Sequence, residues 1–377
     1  MRFSHIRLEN WKNFSRLDAA LQRRVFLIGP NASGKSNLLD AFRFLRDVAL
    51  GGLRRATEDA RGGVSTIRCL AARRYSSVLI EVEAAGNGDT WQYRLEFNQD
   101  QQRHTVVKSE VVWRNGQMLL QRPDQNDQVD PVRLTQTALE QISANQAFRE
   151  LADFFKSVSY QHLLPQVVRD PRSFSPLPVT NDPYGRDFLL RLWQTSPRTR
   201  DARLRKILGA LKVAVPQLTE LKAFMDDTGV PHLEGRYQHW RPHDARQNES
   251  QFSDGTLRLL GLLWAMFEGS GPLLLEEPEI SLHPEIVRRL PTLFEQINRE
   301  RKDPRQTIIS THSRDLLSDP GIGAEEVLLL EPGPDGTVLR PLEEADLAAF
   351  RAGLTAADVL LPKAAPQNIQ QMLREFS

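Results

Sequence analysis

The chain has 377 residues, 40% of them hydrophobic and 26% charged, with a net charge of +1. That length holds two to three domains' worth of chain and a sizeable core. The composition excludes bulk disorder and a polybasic, histone-like protein, though not a local basic face.

A single cysteine, Cys69, excludes an intramolecular disulfide framework and a Cys-rich zinc site. The N-terminal stretch MRFSHIRLENWKNF has no apolar core of signal-peptide length. The longest apolar-rich run, Leu257 to Phe267, contains Arg258 and is too short to span a membrane. A cytoplasmic protein without a membrane segment is expected.

Along the chain, Phe3 to Leu8 alternates as a strand, Asn10 to Asn13 turns, and Val25 to Ile28 is a short apolar strand. A glycine-containing loop leads into a helix from about Ser36 to Ala49, with Leu38, Leu39, Phe42 and Leu45 on one face and Gly51-Gly52 after it. Residues 76–122 are strand-like, in three runs at Ser77–Ala84, Trp91–Phe97 and Thr105–Trp113. A polar loop covers 123–133, and helical periodicity returns across Thr135 to Phe155. Residues 165–200 are rich in Pro, Arg and Ser and look irregular. A helix over about Arg198 to Val213 and strands at Leu218–Met225 and His232–Trp240 follow.

The last third alternates helix and strand. Leu257–Phe267 and Pro284–Arg299 are helical, Pro272–Leu275, Thr307–Ile309 and Val327–Leu330 are strands, and the tail from Leu342 is amphipathic. Short apolar strands between helices predict a largely parallel sheet with helices on its faces.

Gly29-Pro30-Asn31-Ala32-Ser33-Gly34-Lys35-Ser36 matches G-x-x-x-x-G-K-[ST] between a strand and a helix, the context a phosphate loop requires. Small residues let backbone N–H groups wrap phosphates, and the helix N-terminus adds partial positive charge. Lys35 supplies a full charge to the β- and γ-phosphates, and Ser36 offers a hydroxyl to Mg²⁺. Leu273-Leu-Leu-Glu276-Glu277-Pro-Glu279 is an apolar strand ending in acids. In a nucleotide site Glu276 would hold Mg²⁺ through water and Glu277 would act as general base. Taken alone, these acids also fit a solvated strand end or caps of the next helix. Ser253-Asp254-Gly255-Thr256 opens the apolar helix after Phe252, either as an N-cap or as an anion-binding turn. His312, at the end of Thr307–Ser313, fits a γ-phosphate sensor or a structural histidine.

The order and spacing of these pieces resemble the ABC-type ATPase heads of the SMC, RecF and OLD group, and most closely the stand-alone AAA-family (AAA15/AAA-21 type) ATPases within it. The resemblance implies an α/β P-loop NTPase: a largely parallel RecA-like sheet, an antiparallel β lobe and a short helical insertion. It assigns 1–166 to an N-terminal lobe, 167–248 to the insertion with connecting strands, and 249–377 to a C-terminal lobe. Gly29 to Ser36, with Asn37 following, matches Walker A, and Leu273 to Glu277 matches Walker B, with Glu276 where Asp is usual. Phe252 to Thr256 matches the signature motif, although Asp254 and Thr256 depart from its usual LSGGQ form. Ser281-Leu282-His283 stands at the D-loop position, and His312 matches the switch histidine. Gln166, or alternatively Gln161, matches the Q-loop glutamine beside Mg²⁺. Asn13 and Phe14 lie in the region resembling the part of such heads that touches the base.

The implied activity is ATP hydrolysis with Mg²⁺ in an ATP-closed, head-to-tail homodimer, where Ser253 and Gly255 of one copy complete the site of the other. No long coiled-coil arm fits within 167–215, which Pro171, Pro176, Pro178, Pro183 and Pro197 interrupt. The 47 residues after Leu330 are too few for a TOPRIM nuclease, so a nuclease or other effector would be a separate protein. Two roles follow: a switch on DNA or DNA-processing partners, or the ATPase subunit of an anti-phage or toxin-type defence complex. A transporter's nucleotide-binding subunit is a distant third, and intact Glu277 and His312 argue against a module that only holds ATP. Double-stranded DNA would be held through phosphates at Arg54-Arg55, Arg73-Arg74 or Arg198 to Lys206, stretches that equally fit solvated helix faces.

Overall fold

The computed structural model describes residues 1–71, 76–170, 182–238 and 245–365. The chain forms two compact units, one of Met1–Val158, Ser270–Leu274 and Arg305–Ser377, the other of Ser159–Gly269 and Leu275–Pro304. Strands are numbered along the chain.

The first unit contains two sheets. One is antiparallel, in the order β2-β1-β4-β5-β6-β7. It consists of β1 (Arg2–Trp11), β2 (Phe14–Ala20), β4 (Val78–Gly86), β5 (Asp89–Gln99), β6 (Thr105–Arg114) and β7 (Gln117–Arg122). Burial alternates along β5, with Trp91, Tyr93, Leu95 and Phe97 inward, as one buried face requires. In the other sheet β3 (Arg24–Ile28) pairs parallel with both β13 (Thr307–Ser310) and β14 (Val327–Gly333). β15 (Gly336–Arg340) lies antiparallel on β14, and β12 (Leu273–Glu276) neighbours β13. β3 is buried from Val25 to Ile28, which explains its unbroken apolar run.

The helix Lys35–Gly51 carries the core of this unit. Phe42 packs on Phe3 of β1 at 4.8 Å between centroids, while Phe44 contacts Trp11 at 5.2 Å and Phe97 at 5.3 Å. Because neighbours lie on both sides, its buried set is wider than a single amphipathic stripe.

The second unit begins at Ser159, and its second segment starts inside β12, at Leu275. It holds β8 (Ser159–Gln161), next in order to β12, and a three-stranded antiparallel sheet β11-β10-β9. These last strands are β9 (Leu218–Met225), β10 (Pro231–Tyr237) and β11 (Arg246–Asn248). Helices Pro197–Ala214 and Asp254–Phe267 are its longest described helices, and Arg203 stacks over Trp264 between them at 5.4 Å.

Four expectations change. The helix over Thr135 to Phe155 shrinks to Arg149–Lys156, preceded by short 3₁₀ turns. The buried Glu110 carboxylate accepts the N–H groups of Ala138 (2.6 Å) and Leu139 (3.1 Å), and Asn145 donates to the Leu139 carbonyl at 2.9 Å. Side chains thus take the backbone groups a helix would have used. The helix over Pro284–Arg299 is two, Pro284–Val287 and Leu290–Arg299, the second restarting where Pro291 lacks a donor. Between the expected turn at Asn10–Asn13 and Val25 lies a full strand that was not expected from the sequence, β2. The irregular stretch 165–200 has helices Pro165–Arg169 and Phe188–Gln194. Pro171, Pro176 and Pro178, Arg73-Arg74 and Trp240 lie outside the described residues.

Candidate nucleotide site

In the first unit the strand β3 runs directly into the loop Gly29–Ser36, and the helix Lys35–Gly51 starts from it. Parallel pairing places the C-terminal ends of β3 and β13 at one edge of the sheet, with Ser310 opposite Leu27. Ligands of open α/β sheets bind at that edge. Gly34 takes the left-handed conformation (φ 89°), as does Ala32 (φ 62°). A Cβ on Gly34 would meet the Asn13 amide, with Oδ1 at 2.5 Å and Cγ at 2.7 Å. That amide is fixed from two sides, since it donates to Thr337 Oγ1 at 2.6 Å and accepts from Asn37 Nδ2 at 2.9 Å. A Cβ on Gly29 would meet the Leu330 carbonyl and, at 2.5 Å, Ser33 Oγ.

Lys35 is buried, and its ammonium donates to the carbonyls of Gly29 (2.9 Å) and Pro30 (3.0 Å), closing the loop. Ser33 is fully buried, and its hydroxyl has no hydrogen-bond partner among the described residues. Ser36 is exposed at the helix start, and Asn31 and Ala32 are exposed at the loop tip. The Thr311 N–H reaches the Leu27 carbonyl at 3.2 Å, which ties the segment before His312 to β3. His312 itself is exposed, followed by the N-cap Ser313. Phe14 is fully buried in β2 and has no free ring face for a base, whereas Asn13 borders the loop.

One electrostatic feature supports the helix behind the loop. Burial drives the Asp40 carboxyl up, but Arg61 at 2.8 Å, Lys12 at 3.0 Å and Arg43 outweigh it and hold it below the usual carboxylate range.

In the second unit β12 ends at Glu276, whose carboxylate accepts a hydrogen bond from the Tyr160 hydroxyl of β8. His162 Nδ1 lies 3.2 Å from the Glu276 carbonyl. Glu277 has a left-handed backbone (φ 44°), uncommon for a non-glycine, and its carbonyl accepts from Arg258 Nη1 at 3.3 Å. Burial lowers the pKa of Arg258 against the pull of Glu279, Glu277 and Asp254. Gln161, His162, Arg258 and Glu276 line one small cavity of about 20 Å³.

Ser253 caps the helix Asp254–Phe267, its Oγ accepting from Thr256 N–H at 3.2 Å. A Cβ on Gly255 would stand 2.8 Å from the Ser281 carbonyl, so this turn and the segment Ser281-Leu282-His283 pack backbone to backbone. Ser281 is left-handed (φ 64°), and His283 caps the helix Pro284–Val287. Gln166 donates to Asp254 Oδ2 at 3.2 Å.

Comparisons with known proteins identify the family and the fold. The family model described as "AAA domain, putative AbiEii toxin, Type IV TA system" matches residues 24–319. The chain belongs to this AAA family. No curated protein matches the chain by sequence. Among solved structures, the AAA chain is similar to an Smc head bound to the C-winged helix domain of ScpA, at 13% identity and a TM-score of 0.55. That match covers 91% of this chain and 98% of the other. It is also similar to an Smc head with an extended coiled coil, bound to the C-terminal domain of ScpA, from Pyrococcus furiosus. There the identity is 12% and the TM-score 0.51, over 93% of this chain and 98% of that one. The fold is therefore the α/β P-loop NTPase fold of SMC-type ATPase heads.

The first unit of the AAA chain fits a nucleoside triphosphate on its own chemistry. Glycines stand where any Cβ would fill the loop, the N-terminus of a 17-residue helix faces it, and a buried hydroxyl stands ready within it. Among the described residues no group of three or more His, Cys, Asp or Glu could hold a metal by itself.

The basic run Arg198 to Lys206 is partly turned inward. Arg200 stacks on Trp193 at 4.2 Å, Arg203 on Trp264, and Lys206 pairs with Glu300 at 2.6 Å. Arg54 pairs with Glu58 at 2.9 Å. No helix among the described residues is long and apolar enough to cross a membrane. Tyr160, Arg169 and Arg258 were not singled out in the sequence. Only the charge of Arg258 within an apolar helix signalled one of them.

Proposed function

We propose that the chain binds and hydrolyses ATP and uses the cycle as an ATP-dependent, head-to-tail homodimer switch on DNA or DNA-processing partners. The observation that carries this reading is the phosphate loop, whose left-handed Gly34 and buried Lys35 are shaped for a polyphosphate. Gly29 to Ser36 and Asn37 would wrap the phosphates, with backbone N–H groups from all but Pro30, which has none, and with Lys35 leaving the Gly29 and Pro30 carbonyls for the β- and γ-phosphates. Ser36 and Glu276 would hold Mg²⁺, with Gln161, which lines one cavity with Glu276, as the candidate beside it, since Gln166 donates instead to Asp254. The ion would neutralise charge on the phosphate oxygens.

Glu277 would orient and deprotonate the attacking water, and His312 would contact the γ-phosphate. Asn13 is the candidate for contact near the base, ahead of Phe14. Ser253, Asp254, Gly255 and Thr256 would act on the nucleotide of a second copy, with Ser281, Leu282 and His283 at the same interface. The lobes 1–166, 167–248 and 249–377 are the functional divisions within this reading. The SMC-head neighbours, which bind ScpA domains, support a role for a protein partner, and a separate nuclease or effector fits. DNA, if bound, is held through phosphates.

The test is oligomeric mass and ATP turnover of wild type and Glu277→Gln, with and without duplex DNA. The proposal expects Glu277→Gln to trap a dimer with ATP, and DNA to stimulate the wild type. A dimer indifferent to DNA moves the trigger to a protein partner. A monomer under all conditions refutes the switch.

A further inference from the structure

The turn Phe252–Gly255 is gripped from outside by one short helix, Pro165–Arg169. Arg169 Nη2 lies 2.5 Å from Asp254 Oδ1 and donates to the Phe252 carbonyl at 2.6 Å. Gln166, three residues earlier and so on the same helix face, takes the other oxygen of Asp254. The two anchor points, Phe252 and Asp254, flank the exposed Ser253. An aspartate in the first turn of a helix is favoured by the helix dipole without any partner. This carboxylate nevertheless has a donor on each oxygen, both from one element 85 or more residues away in sequence. On its far side the turn is backed by the Ser281 carbonyl, 2.8 Å from where a Gly255 Cβ would stand.

We infer that Arg169 is a positioning residue for the Ser253–Gly255 turn: its contacts with Asp254 and Phe252 fix the direction in which Ser253 and the N–H groups of the helix start are presented. The inference rests on the proposed role of that turn toward a second copy's nucleotide. It explains why an aspartate stands at 254, where the signature motif usually has glycine. A glycine would offer Arg169 nothing to hold, and the helix start would depend on the Ser253 cap alone. Arg169 is partly exposed, so the pair is a modest lock. A modest lock suits a turn whose orientation matters more than its stability.

The experiment uses the full chain with Arg169→Ala, Arg169→Lys, Asp254→Ala and the double variant Arg169→Ala/Asp254→Ala. Two readouts are taken. The first is amide hydrogen exchange of residues 253–258 without nucleotide, which does not depend on dimerisation. Arg169→Ala is expected to raise it about tenfold, with Arg169→Lys in between and the double variant no faster than either single. The second is the protein concentration giving half-maximal ATP turnover, expected to rise about tenfold in Arg169→Ala, with ATP affinity of the dilute chain and turnover at saturating protein within twofold of wild type.

Unchanged exchange in Arg169→Ala, or additive effects in the double variant, overturns the inference. Faster exchange with an unchanged concentration dependence also overturns it, because the lock would then be purely structural. If Glu277→Gln forms no ATP-dependent dimer, the parent reading fails instead, and the exchange measurement still decides whether Arg169 holds the turn.

Discussion

Replacing Gly34 by alanine puts two separate costs on the phosphate loop. A left-handed backbone at an L-residue costs about 1–2 kcal/mol. The new Cβ would also overlap the Asn13 amide, 2.5 Å from Oδ1 and 2.7 Å from Cγ. Asn13 cannot turn away without losing its bonds to Thr337 (2.6 Å) and Asn37 (2.9 Å), at about 1 kcal/mol each. Together the penalty is about 3–4 kcal/mol. If the loop keeps its geometry, the penalty appears as a lower unfolding midpoint. If the loop yields, it appears as ATP affinity weakened by about 10²–10³-fold. Titration with a fluorescent ATP analogue and thermal unfolding measure both. In the double variant Asn13→Ala/Gly34→Ala the overlap is gone and the two Asn13 bonds are lost once rather than twice, so its loss should fall short of the sum of the two singles by about 2 kcal/mol. A Gly34→Ala chain that binds ATP and melts like wild type refutes the reasoning. So does a double variant whose losses simply add.

Two further predictions concern the antiparallel lobe. Arg122 is almost fully buried between Asp127 (2.8 Å) and Glu110 (3.3 Å) and also donates to the Gln136 and Arg133 carbonyls. Arg122→Met leaves the buried Glu110 without a cation and Asp127 with only the half-exposed Arg133 at 3.3 Å, and should cost about 3–5 kcal/mol, lowering the melting midpoint by about 5 °C. A shift under about 2 °C contradicts that. Burial, reinforced by the nearby Glu110, raises the Glu140 carboxyl from 4.5 to about 7 despite its bond from Leu53 N–H. Ionising it therefore costs stability in the folded state. Wild type should lose stability relative to Glu140→Gln as pH rises from about 4.5 through about 7, and no further above that. Parallel melting curves, or a gap that widens on acidification, refute the assignment.

Local chemistry was legible in the sequence, and long-range pairing was not. Gly34 and Lys35 announce the phosphate loop because the geometry needs those residue types within eight positions. The unbroken run Val25–Ile28 marks a strand buried on both faces, and the structure pairs it on both edges. β2 escaped notice because Asp18 and two alanines dilute its alternation, and its register comes from pairing with β1. The false helix over 135–148 shows the same limit. Its apolar spacing is helical, but Glu110, 28 residues from Ala138, claims the backbone donors. The candidate acids were legible as a charged end to an apolar strand. Their support from Tyr160 and Arg258 was not, because those residues come from other elements. The Arg169–Asp254 contact, between residues 85 apart, shows in the sequence only as the departure of Asp254 from the usual signature form, with nothing there to name Arg169 as its partner.

The most direct test of the account is the rate of phosphate release by the purified chain at saturating ATP and Mg²⁺, compared with Glu277→Gln at equal ATP occupancy. The account predicts measurable release by wild type and a loss of at least about 10²-fold in the variant, with ATP binding retained, as removal of a general base requires. Equal release by the two proteins would contradict the role of Glu277. No release by wild type, with or without DNA, would contradict hydrolysis by this chain alone.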